Sequence, residues 1–510
     1  MTGLVFSGPL PPQRFNMAGY VLGVPGRTVP EKTGLLVFDQ VGGPPSEAWT
    51  FAELHKAMLK IARGFTDLAL PPQSRVLIRL PNTSTYALTF FGAIAAGLVP
   101  IPGSTQLIDS EVEFLLQDSG AAVLIADGRL SGSPQHATIH LSSDEIARWL
   151  REKTPLDALP DTTADTPAYL IYTSGTTSKP KGVLHAHRAV WGRKPMHVGW
   201  YDLKPDDRVL HAGAFNWTYT LGTGLTDPWS VGATAIVFTG EKSPDIWPTL
   251  IEQTRATLFA AVPGLYRQIA KYAAPTRPQI ATLRHAFSAG ETPPPDLFDR
   301  YLKDYGLNLY EAIGMSELST FISSAPAVPR RTGFIGKPQP GRAVAILPVD
   351  GGTTPLPPGE EGLMAAHRSD PALMLGYWQR PDEERDVFRG DWFIGGDLAV
   401  MDRDGYVAHR GRANDIMKAL GYRVAPQEVE AVLASIPGVV EVGCAEVPVK
   451  DGVTVIGAFV VRQPSSALDE ATVLGAAAAG LADYKRPRIV RFVDALPRTT
   501  NGKLKRAALK

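Results

Sequence analysis

At 510 residues the chain is long enough for two or more domains with sizeable cores. Its 51 basic and 51 acidic residues cancel, which excludes a global field drawing it to nucleic acid or to an anionic membrane. The only cysteine, Cys444, excludes an internal disulfide framework and a cysteine-based metal cluster, and fits a reducing cytoplasm.

The N-terminal stretch MTGLVFSGPLPPQRF has no basic segment followed by an apolar one, so no signal peptide is expected. "RVLIRL" (75–80) reads as a strand. "YALTFFGAIAAGLVPIP" (86–102) is short for a membrane span and interrupted by glycine and proline. It reads as a core helix, N-capped by Asn82 or Thr83 and ended by Gly97, followed by a buried strand. "AAVLIAD" (121–127), "ATAIVF" (233–238) and "LRHAFSAG" (283–290) are further strands. Between them, "DIWPTLIEQTR" and "PGLYRQIAKYA" place apolar residues at helical spacing. This alternation predicts an α/β protein: a large N-terminal domain of stacked α/β layers. Turns thicken between Pro326 and Pro358, where "AVAILPV" and "GLMAAH" predict a small β-rich subdomain. A break near "HRGRANDIMKALGYRV" (409–424) predicts a small, mobile α+β C-terminal domain of ~100 residues. The expected domains are therefore 1–412 and 413–510.

Four of the segments that carry chemistry lie at the ends of these elements. "YTSGTTSKPKG" (172–182) follows the apolar "AYLI". Its composition serves either a flexible linker or a phosphate cradle of backbone N–H groups, hydroxyls and lysine. It is not a Walker A loop, because Pro180 stands where that pattern needs glycine. "YEAIGMSE" (310–317) sets a hydroxyl beside a carboxylate after a strand, a pair suited to a phosphate and Mg²⁺ together. "SAGETPPP" (288–295) ends another strand. "GDWFIGGDLAVMDRDGYVAHRGRANDIMK" (390–418) contains the polar run "GRAND", which reads as an interdomain linker. "LPRTTNGKLKR" (496–506) lies in the basic tail.

Together, and in this order, these five segments resemble the signature motifs of the AMP-forming adenylate enzymes: acyl-CoA synthetases, peptide-synthetase adenylation domains and luciferases. The resemblance covers nearly the whole chain and implies a carboxylic acid–CoA ligase that uses ATP, Mg²⁺ and coenzyme A. It implies that Thr173, Ser174, Gly175, Thr176, Thr177 and Lys181 embrace the ATP phosphates. Gly290, Glu291, Thr292, Glu311, Ala312, Ile313 and Gly314 fall on the adenine side, with Ser316 at the phosphate and Glu317 on the metal. Asp397 and Arg412 correspond to the ribose-binding pair, Asn414 to the hinge and Lys503 to the catalytic lysine. The face bearing Lys418, Gly421 and Tyr422 is implied to meet CoA. The chain departs from the family pattern at Ser178, Thr292 and Asn414, where glycine, proline and Asp or Lys are usual.

Trp217, Thr218, Tyr219, Ala289, Gly290, Ile313 and Thr320 are expected to line an apolar slot with a few hydroxyls. None of the segments they come from offers an Asp or Lys for an α-amino group. An aromatic, alicyclic or medium-length aliphatic acid follows, and the stretch from 216 through 268 is similar to benzoate-type and medium-chain acyl-CoA ligases. No nucleic-acid or membrane partner is expected, and a homodimer is compatible with the reading. Two other readings stand beside it: an adenylation enzyme passing its acyl group to a carrier protein or another nucleophile, and a non-catalytic nucleotide-binding regulator.

Overall fold

A computed structural model describes residues 4–128, 139–173, 180–290, 293, 295–413, 417–419, 422–450, 453–464, 466–498 and 504–509. The chain divides into two compact units, 1–343 with 367–386, and 344–366 with 387–510.

The first unit is built on a mixed sheet with a parallel centre, a smaller parallel sheet and an antiparallel one. The largest sheet has nine strands. Its six central strands, Thr33–Phe38, Thr234–Phe238, Arg208–His211, Leu258–Ala261, His285–Ala289 and Leu309–Met315, all run parallel. Thr234–Phe238, Leu258–Ala261 and His285–Ala289 are buried at every position, as strands covered on both faces are. A second, four-stranded parallel sheet contains Arg75–Arg79, Val99–Pro102, Val123–Ala126 and Ile139–Leu141. The expected core helix spans Ser84–Ala95 and leads into Val99–Pro102. Thr83 occupies its N-cap position without a side-chain bond, while Asn82 instead accepts a hydrogen bond from the Phe215 N–H at 2.8 Å. No helix among the described residues is long and apolar enough to cross a membrane.

A three-stranded antiparallel sheet joins Pro167–Thr173, Lys181–Ala186 and Gly376–Tyr377. The first two of these strands are antiparallel neighbours, and Thr173 pairs with Lys181 at their ends. The third strand arrives by a segment fixed at several points. Arg342, fully buried, places Nη1 2.5 Å from Asp370 Oδ2 and donates through Nη2 to the Gly192 carbonyl at 2.9 Å. Gly192 has to be glycine here: a Cβ would lie 2.1 Å from the Ala372 backbone nitrogen. Arg188 donates to the carbonyls of Pro371 and Leu373 at 2.7 and 2.9 Å.

The second unit holds the β-rich part, in which Val344–Leu347, Glu361–His367, Trp392–Met401, Phe388–Arg389 and Val407–Arg412 form an antiparallel sheet. Beyond it, Val439–Lys450, Val453–Arg462 and Ile489–Phe492 form a three-stranded sheet that packs with the helices Pro426–Ala434 and Glu470–Gly480.

Arg342→Ala leaves Asp370 buried without its cation, and breaking such a pair costs about 3–5 kcal/mol. We expect a lower urea midpoint of the first unit, followed by intrinsic fluorescence. A midpoint equal to wild type would show that this pair does not hold the segment.

Candidate active site

The strand Leu309–Met315 turns at residues 316–318 and returns as Ser319–Ser323. That turn presents Ser316 and Glu317, and three backbone or side-chain ties fix it. The Met374 N–H donates to the Glu317 carbonyl at 2.8 Å, and Tyr377 Oη donates to Glu317 Oε1 at 2.7 Å. His185 Nε2 donates to the Ser316 carbonyl at 2.8 Å. Lys181 sits over the Tyr377 ring, 4.3 Å from its centroid, with Nζ 3.1 Å from Glu383 Oε2. Thus Lys181, Tyr377 and Glu317 form one continuous array across the antiparallel sheet and the turn. Tyr377 and Glu383 were not anticipated; the signal was Tyr377 in the apolar "MLGYW" strand, with a carboxylate six residues on.

Glu317 suits a Mg²⁺ ion. One carboxylate oxygen takes the tyrosine hydroxyl and the other remains for a hard cation, and Mg²⁺ commonly uses one or two carboxylates with substrate phosphates. No cluster of three or more His, Cys, Asp or Glu suited to a metal occurs among the described residues.

Glu311 lies one strand position from the core residue Ala312, its backbone paired with Ser324. Burial raises its carboxyl to about 8, against the opposing pull of Arg330. A folded-state value above the unfolded one means that the native state holds the proton longer. Glu311 therefore lowers stability progressively as pH climbs from the ordinary carboxyl range to about 8.

The remaining adenine-side and acid-slot residues separate into three groups. Ala289 and Ala312 are register partners and share one cluster with Trp217 and Tyr219. Gly290, at φ +99°, gives Trp217 room: a Cβ there would meet its ring at 2.9 Å. Tyr219 is a core residue, stacked on Trp200 and donating to the Phe287 carbonyl at 3.3 Å. Ile313 and Gly314 pair with Ile322 and Thr320, and Thr320 is buried. Thr218 instead lines a cavity next to Ser316.

That cavity and its open mouth together span about 490 Å³ of non-atom space, solvent at the mouth included. Phe90, Val190, Leu221 and Met315 supply apolar wall, and its polar groups include His185, Arg193, Thr218 and Ser319. Arg193 is buried and bound to Asp227 through Nε at 2.7 Å and Nη2 at 2.6 Å. Tyr201 also donates to Asp227, and Arg193 donates to Ser319. Burial opposes both charges, but each overcomes that cost for the other: Asp227 holds the guanidinium above its usual value, and Arg193 holds the carboxyl below its own. Neither residue was anticipated, because an Arg and an Asp 34 positions apart carry no local signal.

In the second unit, Asp397 and Arg412 are cross-strand partners. Arg412 Nε lies 3.5 Å from Asp397 Oδ1 and its Nη1 donates to the Gly395 carbonyl at 2.5 Å. His409 donates to Asp397 Oδ1 at 2.9 Å, an orienting contact not anticipated although His409 stands in the quoted segment. Lys418 and Tyr422 lie on the paired strands Met417–Ala419 and Tyr422–Val424. Ser174, Gly175, Thr176, Thr177, Glu291, Thr292, Asn414, Gly421 and Lys503 lie outside the described residues.

Comparison with known proteins defines the class. Residues 27–378 match the model of the AMP-binding enzyme family, and 428–503 match the AMP-binding enzyme C-terminal domain. The chain belongs to this family. It has the adenylate-forming fold, a large α/β N-terminal domain with a small C-terminal one, and it is an AMP-forming acyl-CoA ligase: an ATP-dependent enzyme that joins a carboxylic acid to CoA through an acyl-adenylate. It is 30% identical over 490 residues to a 3-hydroxybenzoate–CoA ligase of Aromatoleum sp. (strain CIB), covering 92% of each chain. It is 30% identical over 533 residues to the mitochondrial acyl-coenzyme A synthetase ACSM3 of Rattus norvegicus, covering 98% of this chain and 90% of that one. Its fold matches ATP-bound MatB from Rhodopseudomonas palustris with a TM-score of 0.89 at 25% identity, over 97% of this chain and 98% of the other.

Tyr377→Phe keeps the ring beneath Lys181 and removes only the hydroxyl on Glu317. A hydrogen bond to a charged group contributes about 1.5–3 kcal/mol, so kcat for acid-dependent pyrophosphate release should fall by ~10-fold or more, with a raised Mg²⁺ requirement. Unchanged Mg²⁺ dependence would contradict the role given to this bond.

Proposed function

We propose that this ligase activates a neutral apolar acid, aromatic or alicyclic or a medium-length aliphatic chain, and that the cavity beside Ser316 receives its side chain. The observation that carries this reading is the Arg193–Asp227 pair: the buried cation at the cavity is already neutralised by two short bonds. A second carboxylate or an ammonium on the substrate would be buried without a counter-charge, which is costly. The hydroxybenzoate ligase among the relatives supports a ring acid.

In the first half-reaction the acid carboxylate attacks the ATP α-phosphate and pyrophosphate leaves. Little covalent help is required, so positioning and charge dominate. The 174–180 loop with Thr173 and Lys181 takes the β- and γ-phosphates, and Ser316 lies at the phosphate. Glu317 holds Mg²⁺, which when bound balances phosphate charge. Gly290, Glu291, Thr292, Glu311, Ala312, Ile313 and Gly314 serve the adenine side, Asp397 and Arg412 the ribose hydroxyls. Lys503 bridges the carboxylate and the α-phosphate. In the second half-reaction the CoA thiol displaces AMP, residues 413–510 having reoriented about Asn414 so that Lys418, Gly421 and Tyr422 serve the pantetheine arm. Gly421 allows close backbone approach.

A screen of CoA-dependent AMP formation over aromatic, alicyclic, C4–C12, amino and dicarboxylic acids tests the reading. A neutral acid with a ring or chain should give the highest kcat/KM, by ~100-fold or more over charged analogues of the same size. An amino acid or dicarboxylate at the head of the series would overturn it.

A further inference from the structure

The lysine proposed for the ATP phosphates already has an anion beside it. Lys181 Nζ lies 3.1 Å from Glu383 Oε2 and 4.3 Å from the centroid of the Tyr377 ring. The lysine side chain is 19% exposed and the glutamate 37%, so solvent and solutes reach the pair. Glu383 stands on the short helix Pro381–Asp386, just beyond the strand Gly376–Tyr377 that pairs with Lys181–Ala186. The segment that carries Tyr377 to Glu317 thus also carries a carboxylate to Lys181. The other carboxylate oxygen, Glu383 Oε1, is 3.7 Å from Nη1 of Arg380, three residues earlier. Arg380 is held in turn by Asp118, through Nη2 at 2.6 Å. Glu383 therefore stands between two cations, one across the sheet and one next to its own helix.

This arrangement opposes a second anion on Lys181. Two anionic oxygens on one ammonium lie within about 5 Å of each other, and a polyphosphate multiplies the repulsion. Glu383 can yield the lysine at small cost, because a partly exposed ion pair stabilises little. Arg380 then keeps a cation beside the carboxylate. The Tyr377 ring gives Lys181 a neutral face, which does not compete with phosphate.

We propose that Glu383 is a resident counter-ion that polyphosphate must displace from Lys181, and that it weakens the binding of ATP and of the leaving pyrophosphate alike. This rests on the reading that Lys181 serves the ATP phosphates. Glu383 passes from Lys181 to Arg380 as phosphate arrives and returns as it leaves; no covalent bond changes and no proton moves. Its use is in release, since pyrophosphate on a lysine without a competitor leaves more slowly.

The test is calorimetric titration of the enzyme with pyrophosphate and Mg²⁺, without acid or CoA. Glu383→Gln keeps the side chain's shape and removes its charge, and should bind pyrophosphate at least about threefold more tightly than wild type at low salt. The gain should shrink as salt rises from about 0.05 M to about 0.5 M, because exposed charges are screened. Asp382→Asn removes the same charge one position earlier on the helix, where the carboxylate pairs with Arg385. That variant should change the affinity by less than about twofold. Unchanged or weaker binding by Glu383→Gln would overturn the proposal, as would an equal gain in Asp382→Asn, which would make the effect one of net charge. Lys181→Met tests the reading beneath it. If that variant binds pyrophosphate as wild type does, Lys181 does not serve the phosphates and both ideas fall. If it binds weakly while Glu383→Gln matches wild type, the role of Lys181 stands and the counter-ion alone is refuted. Absence of binding in wild type and Glu383→Gln alike also overturns the proposal.

Discussion

The candidate site depends on a carboxylate held in place by a strand that comes from far along the chain. Glu317 sits on a turn, and turns hold side chains loosely unless something else fixes them. Here Tyr377 Oη and the Met374 N–H grip the side chain and backbone of the same residue. The segment that brings them is fixed in turn by Arg342, Asp370 and Arg188, and by its pairing with Lys181–Ala186. The strand Lys181–Ala186 is thereby registered against the turn that presents Ser316 and Glu317. Sub-ångström positioning matters here because in-line phosphoryl chemistry draws most of its catalysis from placement and charge.

The acid cavity follows a different rule. A buried arginine and aspartate repay their desolvation only through good geometry and further hydrogen bonds, and this pair has both. Two short Arg193–Asp227 bonds, Tyr201 and Ser319 satisfy the network. Its net charge is zero, so the cavity wall acts electrostatically as a set of dipoles. Such a wall selects by shape and hydrogen bonding more than by charge.

The layered α/β core was legible because strands buried on both faces read as continuous apolar runs, as Thr234–Phe238 and His285–Ala289 do. The motif residues were legible because small residues, hydroxyls and charges cluster in short windows at strand ends; Thr173 and Lys181 do pair, as do Asp397 and Arg412. Long-range partners were not. Tyr377 reaches Glu317 across 60 positions, and His185 reaches Ser316 across 131, with no local pattern to announce either. Tyr219 shows the converse difficulty: an aromatic beside pocket residues turned out to pack in the core against Trp200. Lys181–Ala186 is a strand by virtue of its pairing on both sides, with Pro167–Thr173 and with Gly376–Tyr377.

The central claim is that the acid's own carboxylate oxygen becomes bonded to the α-phosphate of ATP. The direct measurement uses acid labelled with ¹⁸O in both carboxylate oxygens, with ATP, Mg²⁺ and CoA, and mass analysis of the nucleotide product. One ¹⁸O atom should appear in AMP for each thioester formed, and none in pyrophosphate. Label in inorganic phosphate alongside ADP, or thioester formed with unlabelled AMP, would contradict the acyl-adenylate route.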